Sequence, residues 1–158
     1  MNRDRPHSDM QHSDPHIATR QRWMGVLARA GGQLAAYESA LKEADYRLIR
    51  APEIGMTLVR GRMGGTGSPF NLGEMSVTRC VVRLADGRTG YSYVAGRDKQ
   101  HAELAALADA HLQGAEQPHW LSRLIDPLAA VQQAQQAAKA AETATTQVEF
   151  FTLVRGED

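Results

Sequence analysis

The sequence predicts an α+β fold: a small, largely antiparallel sheet with N-terminal and C-terminal helices packed on it. Three observations carry this. Asp86-Gly87 stands between two β-rich runs, Met75–Ala85 and Arg88–Ala95, which is a strong short hairpin signal. Helical spacing of apolar residues precedes the hairpin at Trp23, Val26, Leu27 and Ala30 and follows it at Leu104, Leu107, Ala108 and Leu112. The chain has 158 residues, which fits one domain with a buried core.

Composition excludes several classes of function. Eighteen basic residues balance eighteen acidic ones, so there is no general attraction to nucleic acid or to a membrane surface. No apolar run reaches the roughly 20 residues that span a bilayer. The N-terminus lacks the apolar segment of a secretory signal, and the one cysteine, Cys80, fits a reducing compartment. A cytoplasmic protein is expected.

Taken in order, residues 1–17 are rich in His, Asp, Ser and Pro and read as a disordered tail, with residues 18–158 forming one domain. His7, His12 and His16 match no metal-finger spacing, and no metal is expected. Thr19 is placed to cap a first helix that ends at Gly31-Gly32. A second helix carries Leu34, Tyr37, Leu41 and Ala44 on one stripe. Two strands follow, Tyr46–Arg50 and Ile54–Arg62, divided by Pro52. In the second, Ile54, Met56 and Leu58 share a face with Arg60 and Arg62; such a face leads into solvent, a buried anion site or a subunit interface.

Gly64-Gly65-Thr66-Gly67 then offers bare backbone amides for an anion nest, without the Lys-Ser/Thr ending of a P-loop. A two-residue turn at Asp86-Gly87 sets Leu84 against Thr89, Val82 against Tyr91 and Cys80 against Tyr93. One hairpin face then holds Cys80, Val82, Leu84, Tyr91 and Tyr93 as core. Beyond it, Asp98 caps the next helix, and Arg97 and Lys99 beside that N-terminus make a second anion-friendly corner. His101 and Glu103 are the candidates for proton transfer. Gly114 closes that helix, and Pro118 opens another carrying Trp120, Leu121, Leu124, Ile125 and Leu128. Asp126-Pro127 divides it from a segment reaching about Glu142, Thr143–Gln147 breaks the helix, and Val148–Val154 forms a terminal strand. That helical segment and strand are expected to serve subunit contacts.

RMGGTG, then TRC-VRL-DG--GYSYV-GRDKQHAE, then EFFTLVRG together resemble PhnG, a small subunit of the bacterial carbon–phosphorus lyase system. The resemblance runs from Thr19 to Gly156. It implies a role in using phosphonates as a phosphorus source, in a core complex holding two copies each of PhnG-, PhnH-, PhnI- and PhnJ-like subunits. With PhnH-, PhnI- and PhnL-like proteins, the family is required to displace adenine from ATP by methylphosphonate. The product is α-D-ribose 1-methylphosphonate 5-triphosphate. It further implies that nucleosidase chemistry belongs to PhnI and radical cleavage to PhnJ, with no cofactor on this subunit. The chain is then a structural or accessory subunit, inactive alone. The alternative is a direct contribution to a shared active site: Arg62, Gly64, Gly65, Thr66, Gly67, Arg97 and Lys99 toward the triphosphate, and His101 and Glu103 toward a proton.

Overall fold

The computed structural model describes residues 14–62 and 67–153, side chains beyond 146 excepted. The first helix, α1 (Pro15–Ala28), begins earlier than expected. Asp14 caps it, accepting the His16 amide at 3.0 Å, and Pro15 supplies the fixed φ of a first turn. Residues 15–17 are therefore helical, and Thr19 lies inside the helix, its hydroxyl turned back to the Pro15 carbonyl at 2.8 Å. The remainder of the expected tail lies outside the described residues. The expected second helix is a 3-10 turn, Gly31–Tyr37, followed by a single α turn, α2 (Glu38–Leu41); Leu34 and Leu41 still point into the core.

The sheet is three-stranded and antiparallel, in the order β1-β2-β3. β1 (Tyr46–Arg62) is one strand of 17 residues rather than two. Pro52 sits where the pairing with β2 slips, between Arg50 and Glu53, so its missing amide costs the ladder nothing. β2 (Pro69–Leu84) starts well before Met75, and β3 (Thr89–Ala95) pairs with it only from Val77 to Arg83. The outer parts of β1 and β2 therefore continue as a two-stranded ribbon beyond the sheet.

The hairpin register differs by one residue from the sequence expectation. The connection has three residues, not two. Gly87 donates to the Leu84 carbonyl, Leu84 pairs with Arg88, and Gly87 takes a φ of +94°. Cys80 now opposes Ser92 and Val81 opposes Tyr91. A slip of one residue moves every side chain of a strand to the other face. Cys80, Val82 and Leu84 keep their places in the core, joined by Ser92 and Val94, whereas Tyr91 and Tyr93 turn outward at 48% and 53% exposure.

The core lies between the sheet and α3 (Lys99–Leu112), which is buried along nearly its whole length. Ala106 and Ala110 let α3 approach Gly90 of β3 closely, and the Ser92 hydroxyl reaches the Ala102 carbonyl at 2.6 Å. The C-terminal part is a single run of helix: α4 (Gln117–Trp120), a π turn (Leu121–Ile125) and α5 (Asp126–Leu153). Pro127 has no amide to donate, and the chain accommodates it by the extra residue of the π turn just upstream. The expected break at Thr143–Gln147 and the terminal strand are not formed, since α5 extends through Leu153. Thr143, Thr145 and Thr146 each return their hydroxyl to the carbonyl four residues earlier, which satisfies the polar group without leaving the helix. Residue 154 lies outside the described residues. The α+β class stands.

Candidate functional site

The two expected anion corners are not neighbours. Arg62 ends the ribbon, opposite Pro69, while Gly96 hydrogen-bonds Ser76 at the ribbon's base. Seven strand positions separate Pro69 from Ser76, which is about 23 Å at the rise of an extended chain. Gly64, Gly65 and Thr66 lie outside the described residues; Gly67 is a half-buried bend leading into β2. Arg62 is exposed on the same face as Met56, Leu58 and Arg60. Arg97 and Lys99 are exposed as well, but Asp98 caps α3 beside them and already accepts the His101 amide at 2.9 Å.

His101 and Glu103 are two positions apart on α3 and so point to different sides of the helix. The His101 imidazole is buried, with Nε2 2.8 Å from the Leu27 carbonyl. A carbonyl only accepts, so Nε2 carries a proton and ties α3 to α1. Glu103 accepts the Tyr46 hydroxyl at 2.6 Å and lies 3.6 Å from Lys42 Nζ. Lys42 also pairs with Glu38 at 2.8 Å, and Glu38 accepts the Gln100 amide at 3.0 Å. Burial, then the Glu103 carboxylate, push the Tyr46 phenol above its ordinary pKa. This cluster of ionisable groups braces β1 against α2 and α3.

A second polar centre escaped the sequence reading. Asp109 is fully buried and accepts Arg20 Nε and Nη2, at 3.1 and 2.7 Å, the Trp23 indole at 2.9 Å and the Tyr91 amide at 3.0 Å. The carboxylate raises the Arg20 pKa, and the guanidinium lies 5.7 Å from the Tyr91 ring centroid. Together with Gln113, whose amide donates to the Thr89 carbonyl at 2.8 Å, it covers the free edge of β3. The legible signal was an acid in the middle of the apolar helical run LAALADAHL.

Cys80 is a small core residue rather than a nucleophile: its side chain is buried, its thiol reaches the Arg50 carbonyl at 3.4 Å, and burial pushes it up to about 11. A raised folded pKa stabilises below the unfolded value, near 9, and that contribution fades as pH rises toward 11. Urea unfolding of the wild type should therefore weaken between those pH values more steeply than that of Cys80→Ala; equal slopes would remove the assignment. Among the described residues, no group of three His, Cys, Asp or Glu side chains is placed to hold a metal ion. No helix among them is long and apolar enough to cross a membrane.

The ribbon and the far part of α5 leave the packed body largely uncovered. Met56, Leu58, Phe70 and Leu72 are exposed along the ribbon, and α5 is exposed from Gln133 to Thr146. The class of protein is set by a family model described as "Phosphonate metabolism protein PhnG", which matches residues 18–156. A curated relative from Rhizobium meliloti (strain 1021) is 44% identical over 147 residues, covering 92% of this chain and 94% of the relative. It is named "Alpha-D-ribose 1-methylphosphonate 5-triphosphate synthase subunit PhnG". The chain belongs to the PhnG family.

Proposed function

We propose that this chain is an accessory subunit of the assembly that makes α-D-ribose 1-methylphosphonate 5-triphosphate from ATP and methylphosphonate, with adenine released. The observation that carries the proposal is the 44% identity to a synthase subunit over nearly both full lengths. Its partners are PhnH-, PhnI- and PhnJ-like chains, two copies of each with two of this one, acting with a PhnL-like protein in the cytoplasm. Two further features support an accessory role. His101 and Glu103 are engaged in ties between secondary-structure elements, and the ribbon exposes apolar side chains that a free monomer would cover. A two-stranded ribbon is marginal alone in water and gains stability when packed on a neighbour.

Co-expression of this chain, tagged, with those partners tests the reading. The partners should co-purify at fixed stoichiometry, and adenine release should need the whole set; a tagged chain that emerges alone and monomeric would end it. A second reading has the exposed Arg62, two residues before Gly64 in the sequence, helping to hold the triphosphate. Arg62→Ala should then leave the purified assembly intact and cut adenine release at least tenfold, and an unchanged rate would reject it.

A further inference from the structure

We infer that the outward face of the sheet, the one carrying Tyr91 and Tyr93, is a docking surface for an acidic, partly apolar face of another subunit. This deepens the accessory-subunit reading and rests on it. The strand register places Thr89, Tyr91 and Tyr93 of β3, Arg79, Val81 and Arg83 of β2, and Arg47 and Glu53 of β1 on this side. Ile49, Arg50, Arg79, Val81, Tyr91 and Tyr93 line a shallow trough of about 600 Å³. The same face runs on along the ribbon, where the register sets Thr57 with Met75, Val59 with Gly73 and Gly61 with Phe70, and Leu72 packs over Gly61. From Arg83 to Phe70 the strip is about 43 Å long at the rise of a strand.

The fold uses this composition only in part: Arg20 lies over the Tyr91 ring and Arg83 Nε donates to Thr89 Oγ1 at 3.2 Å. Arg47 stands directly opposite Arg83 across the two strands, a like-charge pair that destabilises a sheet. Tyr91 and Tyr93 leave about half of their surface open to solvent. Glu53 is the acid among these residues, shared between Arg79 at 3.3 Å and Arg50 at 3.7 Å. Tyrosine and arginine around a small apolar floor are the residue types that concentrate binding energy at protein interfaces.

Charge selects the occupant. A second copy docking through the same patch would bring arginines against arginines, since a two-fold contact opposes a surface with itself. A chain presenting carboxylates around apolar side chains meets both the cations and the tyrosines. The occupant is therefore a different, acidic subunit.

Arg47→Glu separates this role from a structural one. It turns the like-charge pair with Arg83 into an opposite-charge pair, so the melting temperature of the isolated chain should hold or rise. In the tagged co-expression with the PhnH-, PhnI- and PhnJ-like subunits, recovery of partners at 150 mM salt should nevertheless fall at least tenfold. Tyr93→Ser, whose side chain is exposed, should give a similar loss with the fold intact. Full recovery of partners by both variants would overturn the surface while leaving the accessory reading in place. A wild-type chain that captures nothing would instead remove the accessory reading itself. A wild-type homodimer that Tyr93→Ser breaks would assign the face to a second copy and overturn the acidic partner.

Discussion

Replacing Asp109 by alanine should destabilise the protein by about 3–5 kcal/mol, as for one member of a buried ion pair removed from its partner. The carboxylate gathers donors from α1, α3 and β3, and its loss leaves the Trp23 indole and the Tyr91 amide with no acceptor in a dry site. Arg20 suffers less, because about a third of its side chain can still reach water. Asparagine is no remedy. One oxygen accepts from Arg20 Nε and Trp23, the other from Arg20 Nη2 and Tyr91, so an amide nitrogen at either place meets two donors. Urea unfolding followed by tryptophan fluorescence measures the loss. A cost below about 1 kcal/mol, an ordinary hydrogen bond, would mean that the carboxylate does not hold these elements together.

Gly90→Ala should be more damaging still, above about 4 kcal/mol, in the range that marks a specific steric failure. A Cβ at this position runs into the Ala106 carbonyl oxygen and stands 2.7 Å from the Ala110 nitrogen. Both are backbone atoms of α3, so no side chain can move aside; the helix itself must lift from the sheet. That would open the tightest layer of the core, where Ser92 also touches the Ala102 carbonyl. Gly55→Ala is the control, since a Cβ there meets nothing within 4 Å. The alanine at 55 should unfold within about 1 kcal/mol of wild type. Comparable stability of the two variants would show that the α3–β3 contact relaxes readily.

The elements that could be read locally were the ones whose cause is local. Asp98 caps α3 as its sequence implies, and Asp86-Gly87 does mark the hairpin. What an aspartate-glycine pair does not state is loop length, and here one residue decided which face the tyrosines occupy. Arg88 helps to explain the outcome. Its guanidinium binds Asp86 at 2.7 Å and the Ala110 and His111 carbonyls at 3.3 and 3.1 Å, tying the turn to the end of α3, a contact that no local pattern contains. The strand-like alternation of VEFFTL lost to the long run of helix formers before it, whose propagation costs less than starting a new element. At the site, the ties of Glu103 to Tyr46 and of His101 to Leu27 span 57 and 74 residues of sequence. The Trp23–Asp109 bond spans 86. Pairings of that kind arise from topology and leave only a trace, such as one acid in an alanine-rich helix.

The π turn at Leu121–Ile125 has a geometric consequence for α5. An α-helix advances about 100° per residue, so one additional residue held inside a turn rotates everything downstream by that angle about the axis. The azimuth of the whole outer half of α5 is thus fixed at a single place, before the helix leaves the body. A one-residue deletion there would preserve the length and composition of the exposed segment yet aim a different stripe of it at any neighbour. Pro127, by keeping the wider turn in place, acts as the indexing pin of that arm.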